Sequence, residues 1–260
     1  MNNGLSQLSG RRQEAPKTPE VKTKTLANGY KISYRNDSEL ETIYDDIFSK
    51  HTYFFETTAP EPYVIDCGGH IGLSVLYFKS LYPDSRIVTF EPNPETFWYL
   101  RQNIRQNRLQ GVTAVNKALT GERRKQAILY VGEDYLQAWD STDTIKPDLW
   151  TNMDQYRAIP VRTTILSPHI KERVEFIKLD IEGAEYDVLA ESRARMSSVN
   201  ALTLEYHQSA RNRAEGKLHK TVELLNAAGF KCEMRYQNRP VFFDSLPKAS
   251  IYQLIIKATR

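Results

Sequence analysis

The sequence predicts an α/β fold: a mostly parallel sheet with helices on both faces and a last strand that runs antiparallel. Three observations carry this. From residue 62 onward, short apolar runs alternate with segments of helical periodicity, as in successive strand–helix units. The first run, VIDC (64–67), passes directly into the glycine turn GGHIG, where such sheets place ligands. The closing run, ASIYQLIIKA, has only a turn before it, and antiparallel neighbours need no more than a turn.

Each element follows from its local pattern. SELETIYDDIFSK (38–50) reads as a helix preceding the fold. VIDC is a buried-strand run, and IGLSVLYFKSLY (71–82) has apolar residues at helical spacing. RIVTFE (86–91) is the second strand. PETFWYLRQNIRQN (94–107) is a helix with Pro94 near its start, where a missing N–H costs nothing. VTAVNKAL (112–119) is the third strand and VEFIKLDI (174–181) the fourth, with a helix from about Ala184. NALTLEYH (200–207) is the fifth, LHKTVELLNAAGF (218–230) an amphipathic helix, and FKCEMRY the strand before the last. QAILYV and AIPVRTTIL are strand-like but break the rhythm, so 122–166 is an insertion between the third and fourth core strands.

The 260 residues suit one sizeable core. The expected organisation is a disordered tail over 1–25, an N-terminal helical cap over 26–60 and the main domain over 61–260. The tail is polar and basic and lacks the continuous apolar stretch of a signal peptide. No window reaches the 18 apolar residues of a membrane helix. A cytoplasmic protein without membrane contact is expected. Cys67 and Cys232 have no metal-ligand spacing. The net charge of +3 is small, and clusters such as Arg123–Lys125 read as solvated surface, which disfavours a nucleic-acid partner. The sequence does not fix an oligomeric state.

The glycine turn selects the ligand class. Gly68, Gly69 and Gly72 let backbone approach a ligand, but G-G-x-x-G is not the G-x-G-x-x-G of a dinucleotide site. Asp66, two residues before the first glycine, would repel a pyrophosphate and suits a cationic ligand. S-adenosyl-L-methionine carries an ammonium, a sulfonium and a ribose, and no phosphate. Asp66 is expected to hold the ammonium, directly or through water. Glu91, closing the second strand, is expected to accept from the ribose hydroxyls. FIKLDIEGAEYDVL (176–189) clusters Asp180, Glu182 and Glu185, which is costly unless something cationic lies among them. Asp180 ends a strand beside the first and so points into the same cleft.

These stretches, VIDCGGHIG, VTFEPNP, FIKLDIEGAEYDVL and LTLEYH, resemble the successive motifs of the FkbM family of S-adenosylmethionine-dependent methyltransferases, over roughly 60–258. The resemblance implies the class I methyltransferase (Rossmann-like) fold, a seven-stranded sheet with its last strand antiparallel, and O-methylation of sugars or secondary metabolites. It maps Asp66, Gly68, Gly72 and Glu91 onto the cofactor turn and ribose acid. Gly69 and His70 replace the family's common alanine and asparagine within that turn. Asn116, Lys117 and Ala118 map beside the adenine, and Asp180, Glu182, Glu185, Glu205 and His207 onto the acidic motif and the fifth strand's end. Ser141 matches a family serine near the cleft.

Methyl transfer to an alcohol needs in-line positioning and removal of a proton. His207 is the first candidate for the base and Asp180 the second, with Glu182 or Glu205 orienting the base or the substrate. A divalent metal on Asp180, Glu182, Glu205 and His207 is weighed but not favoured. Tyr53, Trp98, Trp139 and Trp150 are candidate stacking groups. The expected partner is a small glycosidic or polyhydroxylated acceptor. The alternatives are a nitrogen, carboxylate or RNA acceptor, or a non-catalytic module that only binds S-adenosylmethionine.

Overall fold

The computed structural model describes residues 21–132, 143–146, 156–249 and 251–260. A hairpin of β1 (Lys22–Thr25) and β2 (Lys31–Tyr34) leads into α1 (Asp37–Tyr44), capped by the Asn36 side chain, which accepts from the Glu39 amide. α1 runs on into a π-helical turn, Asp45–Ser49. Residues 22–25, expected in the tail, are therefore strand, paired antiparallel with residues 31–34. Ile32 and Tyr34 on β2 are buried and give the hairpin its anchor. Residues 1–20 lie outside the described residues.

The α/β units then follow in chain order: β3 (Tyr63–Cys67), α2 (Leu73–Leu81), β4 (Arg86–Phe90), α3 (Pro94–Gln106) and β5 (Val112–Val115). Next come β6 (Ala118–Leu119), β7 (Gln126–Gly132), β8 (Tyr156–Thr164), β9 (Val174–Leu179) and α4 (Glu185–Ser192). β10 (Val199–Gln208), α5 (Ala210–Ala214), α6 (Lys217–Ala227), β11 (Lys231–Tyr236), β12 (Arg239–Val241) and β13 (Tyr252–Thr259) complete the chain.

The main sheet has the order β12-β11-β13-β10-β9-β3-β4-β5. β5, β4, β3, β9 and β10 are mutually parallel, and β13 is antiparallel to both β10 and β11. Seven of these strands form the expected sheet, and β12 adds an eighth at the edge through the hairpin turn Gln237–Asn238, both residues left-handed. The strand order reverses between β3 and β9, so the ends of these strands form a crevice. All six residues of β9 are buried, as a central parallel strand requires. One apolar layer packs β9, β10 and β13 against α4 and α6; the other packs the N-terminal segment, α2 and α3 against β3 and β4.

The third expected strand, 112–119, divides in two. β5 stays in the main sheet, while β6 leaves it to pair with β8. Asn116 sits at the break and donates its side-chain amide to the Glu91 and Pro92 carbonyls, at 2.9 and 3.0 Å. β7 and β8 form the antiparallel hairpin of the insertion. No helix among the described residues is long and apolar enough to cross a membrane.

Candidate active site

The carboxyl ends of β3, β4, β9 and β10 open into a cavity of about 1110 Å³, the size of a large small-molecule site. Its floor is the turn after β3. The Gly68 and Gly69 amides both donate to the Phe90 carbonyl, at 3.0 and 2.8 Å, folding the chain across the end of β4. Gly68 has φ +94°, and a Cβ there would lie 1.9 Å from the Asp180 carbonyl oxygen; one on Gly69 would lie 2.1 Å from Thr89 Oγ1. These two glycines are therefore dictated by the protein's packing against itself, and only indirectly by a ligand. Gly72 begins α2 in the left-handed region.

Asp66 departs from its expected role. Its side chain is 0% exposed, and its Oδ2 accepts from Ser74 Oγ and Thr89 Oγ1, at 2.9 and 2.8 Å. It fastens α2 and β4 to β3 and is not part of the cavity wall. Asn116 also turns away from the cavity to brace the chain, while Lys117 and Ala118 line it.

Glu91 faces the cavity from the end of β4. Its Oε2 accepts from the His70 amide and its Oε1 from the Asn93 amide, both at 2.9 Å. Each oxygen keeps a second lone pair, so a fixed carboxylate stands where two hydroxyls could donate. Burial, above all, pushes its pKa up to about 7. His70, at φ +47°, holds its ring 3.2 Å from Glu39 of α1. Burial alone would lower the imidazole; the Glu39 hydrogen bond and the Glu39, Glu91 and Asp143 charges outweigh it and raise it to about 9. Asp143, from the insertion, accepts from the Asn93 side-chain amide and is raised to about 6, chiefly by burial. Neither Glu39 nor Asp143 stands in a recognisable motif, so sequence reading missed both.

The opposite wall carries Asp180, Glu182 and Glu205. Between them and the glycine turn lies the buried ammonium of Lys178, 2.7 Å from the Gly68 carbonyl and 3.0 Å from Asp180 Oδ2. The same Nζ lies 5.1 Å from the Tyr53 ring centroid. Burial works against the ionised Asp180 carboxylate, but Lys178 and His207 overcome it and hold its pKa below the usual range. Glu205 moves the other way: burial, then the Asp180 charge, raise it to about 7. The Tyr53 hydroxyl lies 3.4 Å from Asp180 and 3.3 Å from Glu205.

His207 does not lie just past a strand end, as the sequence suggested. β10 continues past it, because His207 pairs with Gln253 of β13, and the side chain is 1% exposed. Its Nδ1 lies 3.0 Å from Glu185 Oε1 and its Nε2 3.1 Å from Glu182 Oε2. Burial alone would lower its pKa, yet Glu182 and Glu185 hold it well above the ordinary imidazole value. His207 is thus held between two carboxylates, its Nε2 also lies 3.1 Å from Gln253 Nε2, and it does not line the cavity. It aims Glu182, whose backbone sits at φ +53°, toward the cavity. Glu185, the first residue of α4, also accepts from the Gly183 amide at 2.8 Å.

Asp180, Glu205 and His207 bring ligand atoms within 4.8 Å of one another. As a donor set for a divalent cation they are already spent: Lys178 neutralises Asp180, and both nitrogens of His207 are taken. Tyr53 lines the cavity, whereas Trp98 is 43% exposed on α3. Trp139, Ser141 and Trp150 lie outside the described residues.

Comparison with known proteins fits this geometry. Methyltransferase 1 of Beauveria bassiana (strain ARSEF 2860) is 32% identical over 165 residues, covering 58% of this chain and 66% of the relative. The chain therefore spans just under two thirds of that protein's length. The 31-O-demethyl-FK506 methyltransferase FkbM of Streptomyces tacrolimicus is 26% identical over 81% of this chain and 89% of its own. The crystal structure of M. jannaschii TYW2 in complex with AdoMet superimposes with a TM-score of 0.50 at 11% identity, covering 93% of this chain and 86% of that one. That likeness shows the class I methyltransferase fold. Residues 66–232 match the Methyltransferase FkbM domain, which takes in the glycine turn, the acid closing β4, the carboxylates beyond β9 and the end of β10, and the chain belongs to that family.

Proposed function

We propose that this chain transfers a methyl group from S-adenosylmethionine to a hydroxyl of a small, polyhydroxylated acceptor. The observation that carries this is the division of the cavity's acids. On the cofactor side Glu91 is fixed by two backbone amides; beside the glycine turn Lys178 keeps Asp180 ionised, while burial raises Glu205 to about 7 and Glu182 to about 8. An acid-lined cavity suits a cationic, phosphate-free ligand. Glu91 would accept from the ribose hydroxyls, Lys117, Ala118 and Leu119 would border the base, and the turn at 68–70 would border the methionine end. Bound there, the cofactor supplies an electrophilic methyl group.

The protein's own part in the chemistry is positioning and proton transfer. Glu205 is the base this geometry supports, since its pKa of about 7 matches a working pH near neutrality. Asp180, kept ionised, and Glu182, aimed by His207, would accept from neighbouring hydroxyls and fix the acceptor. A module that only bound the cofactor would have no use for Glu205 poised in this way. The relative named as an O-demethyl-FK506 methyltransferase supports the hydroxyl assignment. The test is incubation with methyl-labelled cofactor and a panel of glycosides, with the methylated atom assigned by NMR. A methyl group on oxygen is expected; one on nitrogen overturns the hydroxyl assignment and leaves the methyltransferase reading intact.

A further inference from the structure

We propose that the acceptor carries an anionic group, a carboxylate or a phosphate, which Lys257 of β13 and Arg235 of β11 hold beside the carboxylate cluster; this rests on the methyltransferase reading above. Both residues line the same cavity as Glu205. Lys257 stands opposite Thr203 of β10 and Glu233 of β11, and Ile255 stands opposite Glu205 and Arg235. Side chains two apart along a strand share a face, so Glu205, Lys257, Glu233 and Arg235 project from one face of the sheet. Glu205 and Lys257 are on neighbouring strands, two positions out of register, which puts their Cα atoms about 8 Å apart. A hydroxyl at Glu205 and an anion at Lys257 therefore fit within one small molecule.

At the Lys257 end of this face the ion pairs do not balance. Glu233 is the carboxylate directly across from Lys257, yet it pairs with Arg235 Nη1 at 2.8 Å. Arg235 Nη2 donates to the Asn238 carbonyl at 3.0 Å, and its buried Nε has no hydrogen-bond partner among the described residues. Glu233 is thus shared by two cations, and the next carboxylate on this face, Glu205, stands two positions away from Lys257. Lys257, half-buried, makes no hydrogen bond or ion pair among the described residues. Burial, then the Arg235 charge, lower its pKa, so the ammonium is held there at a cost. A neutral polyol would leave that cost in place. An anionic oxygen would relieve it through charge-assisted hydrogen bonds. Across the cavity, Glu39, Glu91 and Asp143 line the cofactor wall together with Arg35, His70 and Lys117.

The test uses the full chain loaded with S-adenosylhomocysteine, titrated calorimetrically with glucose, glucuronate and glucose 6-phosphate at low salt. At least one anion is expected to bind about tenfold or more tightly than glucose, and the two arms separate carboxylate from phosphate. Lys257→Met is expected to lower the anion's affinity about tenfold and leave glucose unchanged. Affinity of that variant for S-adenosylhomocysteine, measured first, shows that it is folded. Anions binding no better than glucose, or no worse to Lys257→Met, would overturn the inference. Failure of S-adenosylhomocysteine itself to bind would instead sink the methyltransferase reading, and this inference with it.

Discussion

His207→Ala should damage folding before it damages chemistry. The His207 ring is 1% exposed and lies 3.0 Å from Glu185 and 3.1 Å from Glu182. Glu185 is itself 1% exposed, so removing the ring strands a carboxylate where water cannot reach it. Breaking a buried pair from one side costs about 3–5 kcal/mol. Against a whole-domain stability of about 5–15 kcal/mol that is a large share. At about 2–4 °C per kcal/mol for a chain of this size, the midpoint should fall by about 6–20 °C. Urea denaturation and thermal melting at pH 7, with the m-value monitored, measure it. An accessible general base would behave oppositely, losing turnover while stability changed by about 0.5 kcal/mol or less. A stable, inactive His207→Ala protein would refute the clamp and restore His207 as the base.

Four further outcomes follow from the same geometry. Gly68→Ala should cost about 4 kcal/mol or more, because its Cβ would meet the Asp180 carbonyl at 1.9 Å; Gly29→Ala, equally left-handed at φ +85° but with nothing within 4 Å among the described residues, should cost only about 1–2 kcal/mol, both read by denaturation. Glu91→Ala should weaken S-adenosylhomocysteine binding by about 10- to 100-fold in calorimetry, the range for hydrogen bonds to a charged group. At saturating S-adenosylmethionine, where titration of Glu91 no longer limits cofactor binding, kcat should rise with pH and level off above about 7, since Glu205 must lose its proton to act as base; Glu205→Gln should abolish that limb and lower turnover by about 10²–10⁴. Dialysis against a chelator should leave turnover within about twofold, since Lys178 and the two glutamates on His207 occupy the site a divalent cation would need.

The core strands around the crevice were legible because each is a short apolar run bounded by a helix or a turn. β12 was not: Arg239–Val241 is three residues with a proline at its centre, and only pairing with β11 makes it a strand. The strand break at Asn116 was equally hidden, since Lys117 interrupts an apolar run without ending it. Within the site, the sequence told which residues lie near strand ends but not how deep each one sits. Asp66 pairs with Lys178, one step before Cys67 and Leu179 close their strands, whereas Asp180 lies beyond that closing pair. Asp66 and Asp180 therefore share a face of the sheet at different depths. The inner one is sealed by Ser74 and Thr89; the outer one reaches the cavity. His207 was misjudged for a related reason. Nothing local shows that β13 extends β10 past residue 207.

That difference in depth also sorts the site's protonation states. Lys178 sits between the inner and the outer acid, 3.8 Å from Asp66 and 3.0 Å from Asp180. Its ammonium makes burial of two carboxylates tolerable, and its shorter contact is with the outer one. Asp180 is thereby fixed as an anion, and a fixed anion makes it harder for the next carboxylate to ionise. Glu205 is that carboxylate, raised to about 7 by its burial and by Asp180. The Tyr53 hydroxyl lies within hydrogen-bonding reach of both acids. Two neighbouring acids are thus driven apart in pKa, so that one remains a charged acceptor while the other exchanges a proton near neutrality. The lysine does this from within β9, a strand buried along its whole length. The electrostatic difference between the two acids is therefore set by the sheet's core and does not depend on a mobile loop.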